Sequence, residues 1–405
     1  MRILMVAPGT RGDVAPMAGL GNRLQGLGFE VAIAANPAYA PLVVDSGCEF
    51  RLLPGDLAGL IRHPAPGEKA EGGSVLDFWR KLRGYMEDAA TGTLAAVEAG
   101  ADVILANSVA AYAYDIGEAF RIPVIGAHLQ PTEPSAAYPP VLMNSSRSLG
   151  PLGNKIIGER ASAGPAPYDA PSARLRKALG LKKESRAAGE RRRRKAKATI
   201  LHGISPTVLP RPADWHAGLV MAGYWWPVAR PDWRPPAELV DFLADGPPPV
   251  YVGFGSSAHV DPGFILEATR RAGVRVVVQG AERSLGADAI GIGDVPHEWL
   301  FPRMAAVVHH AGAGTTAAGL RAGAPTVAVP VYTDQPLWAS RVAVLGAGPA
   351  PIPYKKLTAA RLGDAINQAV NTPSYAERAG ELAARIATQD GVAPVVDALG
   401  KLPTK

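Results

Sequence analysis

The chain has 405 residues, too many for one ordinary core and suited to two domains of about 150–200 residues each. Its 47% hydrophobic and 19% charged content excludes a disordered chain, and no run of about 18 apolar residues offers a bilayer span. A net charge of +6 favours phosphate-bearing ligands or anionic surfaces, while the basic run Arg191 to Lys197 lacks the interleaved aromatics that nucleic-acid binding would need. That run reads as a solvated, mobile helix or loop, and surface contact with an anionic membrane stays open. Cys48 is the lone cysteine, so no intrachain disulfide can form and a reducing compartment is expected. The first residues read as a strand rather than the apolar core of a signal peptide, which points to the cytoplasm.

In chain order, Ile3 to Ala7 reads as a buried strand and Ala15 to Leu27 as a helix ending at Gly28. Glu30 to Ala35, Val103 to Ala106 and Val124 to Ala127 follow as strands, with an amphipathic helix from Tyr112 to Phe120. Strand–helix–strand alternation predicts a doubly wound parallel sheet. From 207 to 237 prolines recur and Trp215, Trp225, Trp226 and Trp233 cluster, the composition of an ordered linker. A second alternating set comprises strands at Val250 to Phe254, Val274 to Val278, Ala305 to His309 and Thr326 to Pro330. Helices are expected at Thr315 to Arg321, Ala359 to Val370 and Tyr375 to Ile386. The fold expected is therefore α/β, with two facing Rossmann-like domains over 1–206 and 238–386. Ligands would bind beyond the carboxyl ends of the strands, in a shared cleft.

Four motifs sit at such strand ends. His309-His310-Ala311-Gly312-Ala313-Gly314-Thr315-Thr316 follows a strand and opens a helix. Its glycines would let backbone approach a phosphate, and the helix N-terminus offers free N–H groups. A capping turn with structural histidines is the other reading. Gly253-Phe254-Gly255-Ser256-Ser257 could hold the same diphosphate from the other side, or be an ordinary turn. In Pro330 to Gln335, Asp334 and Gln335 suit a sugar's vicinal hydroxyls, although Asp334 could equally cap a helix. Pro8-Gly9-Thr10-Arg11-Gly12-Asp13-Val14 places Asp13 in a loop facing the cleft from the N-terminal side, or makes it a helix N-terminal acid stabilised by the dipole. Arg11 could pair with Asp13 and hold it ionised.

Together these motifs resemble the inverting glycosyltransferases of the UDP-glycosyltransferase family, in the branch of sterol glucosyltransferases and glycopeptide-antibiotic glycosyltransferases. The resemblance rests on Gly9 to Val14, on Asp294 to Pro302, and most specifically on His309 to Gln335. It implies a GT-B architecture, with acceptor on the N-terminal domain and nucleotide sugar on the C-terminal one. Residues 387–405 would form a final helix packing back on the N-terminal domain. The resemblance assigns donor binding to Thr10, Arg11, Gly12, Ser256, Val295, His297, His310, Gly312, Gly314, Thr315, Asp334 and Gln335. Two departures stand out. Asp294 occupies the place of the base-stacking tryptophan of plant members, and the first loop carries Asp13 instead of a histidine.

Asp13 is accordingly the expected general base. The chain contains no Asp-x-Asp pair, so neither a metal nor another cofactor is expected beyond a UDP- or TDP-linked sugar. Trp79, Tyr85, His128, Gln130 and Tyr138 are candidates for an apolar acceptor such as a natural product, sterol or lipid, and each could equally be packing. The Ala, Gly, Pro and Arg bias fits a high-GC bacterial genome and hence secondary metabolism. A silent auxiliary protein or a nucleotide-sugar epimerase are the rival readings. Either a monomer or a homodimer is compatible with the sequence.

Overall fold

The computed structural model describes residues 1–60, 75–229, 232–255, 260–281 and 285–403. Seven strands form the first sheet: β1 (Arg2–Val6), β2 (Glu30–Ala35), β3 (Glu49–Leu52), β4 (Val103–Ala106), β5 (Val124–His128), β6 (Ile200–His202) and β7 (Leu219–Met221). Their order is β3-β2-β1-β4-β5-β6-β7. Five more form the second sheet: β8 (Val250–Gly253), β9 (Val276–Gln279), β10 (Ala289–Ile292), β11 (Ala306–His309) and β12 (Thr326–Ala328), in the order β10-β9-β8-β11-β12. The pairings are parallel throughout. In each sheet the order reverses beside the first strand, at β1/β4 and at β8/β11. Such reversals open a crevice for ligands at the carboxyl edge.

The strands are short apolar runs because both faces are covered. Ile3 and Met5 point into one core with Val31, Ile33 and Leu105, while Leu4 and Val6 point into another with Ala32, Ala34 and Ile104. The second sheet repeats this alternation, with Val250 and Val252 on one face and Tyr251 on the other. A fifth core lies between the domains: Tyr138, Val208 and Trp215 pack with Ala311, Leu337, Trp338 and Val342.

The sequence expectation of a linker over 207–237 needs correction. β7 lies inside that stretch and pairs with β6, because Leu219 and Met221 are buried against the sheet. The N-terminal sheet therefore extends through Met221, and the crossing follows it. The chain crosses back near Gly391, whose carbonyl accepts a hydrogen bond from Trp225 Nε1 at 2.8 Å. The closing helix Ala393–Gly400 then buries Val395 and Leu399 in the same core as Ile3 and Leu20. Each such side chain contributes about 1.5–3 kcal/mol, so this return strap is a substantial part of the N-terminal core.

The basic run is more ordered than expected. It lies on the helix Arg186–Lys195, where Arg192 pairs with Glu118 and Glu184, and Arg193 stacks over Tyr114 at 4.1 Å. Among the described residues no helix is long and apolar enough to cross a membrane.

Candidate active site

β1 ends at Val6, and the residues after it turn sharply into the helix Arg11–Gln25. Gly9 makes the turn at φ +145, and a β-carbon there would lie 2.3 Å from Asp13 Oδ2. Only glycine leaves the carboxylate where it is. Asp13 sits in the first turn of the helix, the alternative to a loop that the sequence offered. Its Oδ2 accepts from the Thr10 backbone N–H at 2.9 Å and from the Thr10 hydroxyl at 3.2 Å. Oδ1 has no protein hydrogen bond among the described residues. Burial raises the Asp13 pKa to about 6; the Thr10 bonds oppose that shift, and the charge of Asp334 adds to it. Asp334 belongs to the other domain, so the two carboxylates sense each other across the cleft.

Arg11 does not pair with Asp13. It reaches across the cleft to Asp294, with Nη1 3.0 Å from Oδ2. Both side chains are about half exposed, so the contact aligns the walls more than it stabilises them. Thr10 and Gly12 flank Asp13 as the helix N-cap and an exposed first-turn residue.

Opposite lies the turn between β11 and the helix Ala313–Arg321, with Gly312 at the N-cap. The adjacent histidines have separate tasks. His309 is fully buried and its Nδ1 accepts from the Ala311 N–H at 3.0 Å, holding Ala311 at φ +60. It shapes the turn and offers the cleft nothing, which is the structural-histidine reading. His310 lies over Gly312, where a β-carbon would come 2.5 Å from its Nε2. Among the described residues its Nδ1 is buried without a protein partner. Burial, with a smaller contribution from His297, lowers its pKa to about 4, so the ring is neutral near pH 7. A buried unpartnered ring nitrogen beside a helix N-terminus suits a ligand atom. Gly314 has open space where a β-carbon would stand, and Thr315 follows it in the first turn.

The turn after β12 holds Thr333 at φ +54. Asp334 stands at the N-cap position of the helix Gln335–Val344, yet its side chain makes no capping bond. Its Oδ2 instead accepts from Trp338 Nε1 at 2.7 Å, and its Oδ1 from the Thr333 hydroxyl at 3.0 Å. Burial raises its pKa, against those two bonds. Gln335 Oε1 accepts from the backbone N–H groups of Val331 and Tyr332 at 2.8 and 3.2 Å. Its carbonyl is thus committed to the turn, which narrows what Gln335 can offer a sugar hydroxyl.

A cavity of about 310 Å³ opens at the carboxyl ends of β8, β9 and β10, lined by Gly253, Gly255, Gln279, Gly280, Gly293 and Asp294 among others. Val295 lines a neighbouring hollow and packs its side chain into the core with Leu300 and Phe301. His297 stacks on Phe301 at 4.2 Å, and burial, aided by Arg11, lowers its pKa to about 4. Ser256 lies outside the described residues.

The acceptor candidates divide. Trp79 is 40% exposed on the helix Val75–Glu98. Tyr85 is core, its hydroxyl donating to Asn36 Oδ1 at 2.8 Å, which is the packing reading. Gln130 accepts from the Ser108 hydroxyl at 3.3 Å, and Tyr138 is buried against Trp215. His128 joins a buried cluster described below.

Three contributors were missed in the sequence. Asn107, at the end of β4, donates to the Pro8 carbonyl at 3.2 Å and braces the Asp13 turn. Trp338 orients Asp334 from one helical turn on, a spacing that could have been noticed. Glu133 carried no signal, being one acid in a proline-rich loop.

Comparison with known proteins agrees with this geometry. Residues 3–139 match the glycosyltransferase family 28 N-terminal domain, and residues 274–402 match the erythromycin biosynthesis protein CIII-like C-terminal domain. The chain is 35% identical over 411 residues to the O-mycaminosyltylonolide 6-deoxyallosyltransferase of Streptomyces fradiae, covering 97% of this chain and 95% of that one. The chain is a glycosyltransferase of this family. It is also 34% identical to a sterol 3-beta-glucosyltransferase of Arabidopsis thaliana, with 99% of this chain matched to 65% of that longer protein. The solved structure of the glycosyltransferase VinC in complex with dTDP superposes with a TM-score of 0.65, at 20% identity and 98% coverage of both chains. The architecture of this glycosyltransferase is thus GT-B, as the resemblance implied.

Proposed function

We propose that this glycosyltransferase moves a hexose or deoxyhexose from a UDP- or TDP-linked donor to a hydroxyl of an apolar acceptor, a natural product, sterol or lipid, in bacterial secondary metabolism. Transfer proceeds with inversion and without a metal. The observation that carries this reading is Asp13, a carboxylate with a pKa near 6 and one unengaged oxygen, opposite Asp334 across the cleft. The acceptor hydroxyl gives its proton to Asp13 Oδ1 as its oxygen attacks the anomeric carbon. The bond from that carbon to the diphosphate oxygen breaks through an oxocarbenium-like state, as in glycoside hydrolysis. One in-line displacement inverts the centre.

The departing diphosphate gains charge, which the first-turn N–H groups of the helix Ala313–Arg321 and the neutral His310 would stabilise. Asp334, held by Trp338, is placed for sugar hydroxyls. The nucleoside then extends toward the cavity near Gln279 and Asp294. With no Asp-x-Asp pair to hold a cation at the diphosphate, these groups carry the electrostatic work. The names of the relatives support a macrolide-like or sterol-like acceptor.

The test is a thermal-shift panel of UDP, TDP and GDP, followed by transfer from the stabilising nucleotide's glucose conjugate in EDTA, with the product anomer read by NMR. Stabilisation by mass action, EDTA-resistant turnover and an inverted anomer are expected. Retention of configuration, or activity restored only by Mn²⁺, would overturn the mechanism.

A further inference from the structure

β5 and β6 end side by side at the same sheet edge that presents Asp13, and their last residues, His128 and His202, are in register. Glu133, from the loop after β5, reaches between them. Its Oε2 is 2.6 Å from His202 Nε2 and its Oε1 is 2.8 Å from His128 Nδ1. The three side chains are 0%, 9% and 13% exposed for His202, His128 and Glu133.

The partners dictate where the protons are. His202 Nδ1 faces the Val220 carbonyl at 3.2 Å, and its Nε2 faces a carboxylate. Both partners only accept, so a hydrogen on either ring nitrogen of His202 meets an acceptor. Its ring stacks on Trp215, with centroids 4.7 Å apart and planes 25° apart. Burial alone would raise the Glu133 pKa, but His128 and His202 outweigh it and hold the carboxylate well below its ordinary value. His128 Nδ1 gives its hydrogen to the carboxylate, which turns Nε2 outward. Nε2 is the one polar side-chain atom of the three residues with no protein hydrogen bond among the described residues, and it is not sealed from solvent.

The same donor set could hold zinc. Adjacent ligands on a tetrahedral ion with bonds of about 2.0–2.1 Å would stand about 3.3 Å apart. The observed 2.6 and 2.8 Å are hydrogen-bond separations.

We infer that His128 binds the acceptor, its Nε2 taking a hydrogen bond from a hydroxyl other than the reacting one, and that Glu133 and His202 are positioning residues that fix its tautomer. The inference rests on the glycosyl-transfer reading above. β5 lies two strands from β1, about 10 Å at ordinary strand spacing. A group at His128 is therefore too far to share the hydroxyl that Asp13 deprotonates. The substrate class is an apolar polyol, and a molecule with one hydroxyl would leave His128 unmatched.

The test uses the full-length protein with two steroid probes, a rigid androstane diol hydroxylated at both ends and the monool lacking the far hydroxyl. His128→Leu should raise the acceptor KM for the diol about tenfold, the worth of a buried hydrogen bond. The monool KM and TDP affinity should stay as in the parent. His128→Gln, which returns an acceptor oxygen near the Nε2 position, should recover part of the loss, and Glu133→Gln should copy His128→Leu. Equal KM changes for both probes would overturn the inference, as would stoichiometric zinc in the purified protein. Imidazole ¹⁵N spectra decide the tautomer without turnover: hydrogen on His128 Nδ1 alone, with Nε2 shifting on diol addition, is expected. Hydrogen on Nε2, or no shift, refutes it. Failure to bind any nucleotide would instead sink the glycosyl-transfer reading.

Discussion

The two walls of the cleft hold their carboxylates by different means. Asp13 is fixed by its own turn, through the Thr10 N–H three residues back and a glycine at φ +145. Asp334 is fixed by a core side chain, the Trp338 indole, and follows a non-glycine residue at φ +54. The N-terminal wall thus sets its acid mainly with local backbone, and the C-terminal wall with side chains one and four residues along, the farther of them anchored in the core. A base that must release and regain a proton suits the first arrangement, where one oxygen stays unengaged. A group that orients a sugar suits the second, where both oxygens already have donors.

The sharpest break of this comparison is Asp13→Asn. The amide can still accept from Thr10 but cannot take a proton, so the rate should fall about 10²–10⁴-fold. In the parent, kcat/KM should rise through about pH 6 as Asp13 ionises, and the variant should lose that limb. Stability should move the other way. The folded-state pKa is raised from 3.8 to about 6, so the favourable contribution is complete below about pH 4 and is lost as pH rises through 6. Asp13→Asn should therefore raise Tm at pH 8 and leave it nearly unchanged at pH 4. Undiminished turnover would remove Asp13 from the mechanism, and a lower Tm at pH 8 would contradict its buried charge.

On the opposite wall, Trp338→Phe removes the indole donor and leaves Asp334 Oδ2 unpaired. A hydrogen bond to a charged group is worth about 1.5–3 kcal/mol, so kcat/KM should drop tenfold or more. The loss should follow the donor sugar, with TDP affinity preserved, if Asp334 holds the sugar and not the nucleotide as proposed. Equal losses in sugar-nucleotide and TDP affinity would show that Trp338 acts only as core packing.

The same contrast explains what could be read in the sequence. The parallel sheets were legible from apolar runs such as Ile3–Ala7 and Val250–Phe254, and the glycine turn before the helix Ala313–Arg321 from its spacing. β7 was not, because Leu219–Met221 is three residues long among prolines and tryptophans, and only pairing with β6 makes it a strand. Asp13 was found because the Gly9–Val14 motif that carries the resemblance is contiguous in sequence. The ion pair of Arg11 was misread for the complementary reason: its partner, Asp294, is 283 residues distant. Glu133 became visible only when β5 and β6 brought His128 and His202 to its two oxygens.

A smaller effect is expected from Ala311→Gly. A left-handed alanine costs about 1–2 kcal/mol, and glycine returns about 0.5–1 kcal/mol of that through the freedom of its unfolded chain. The net gain of at most about 1.5 kcal/mol corresponds to a rise of at most about 3–6 °C in Tm. TDP affinity should fall slightly, because the turn over His310 is less firmly set. A lower Tm would mean that the buried methyl contributes more than the left-handed conformation costs.

The smallest change should come from Arg11→Ala. Its contact with Asp294 spans the cleft, yet the side chains are 57% and 52% exposed. Exposed pairs contribute about 0–1 kcal/mol and are screened by salt. Tm should barely move, and any fall in kcat/KM at low ionic strength should vanish at about 1 M salt, where the Debye length is about 3 Å. The two walls are already joined by the core of Tyr138, Trp215, Trp338 and Val342, so closure should not need this pair. A large, salt-independent loss would place Arg11 on the donor itself, and the N-terminal wall would then bind the nucleotide sugar as well as supply the base.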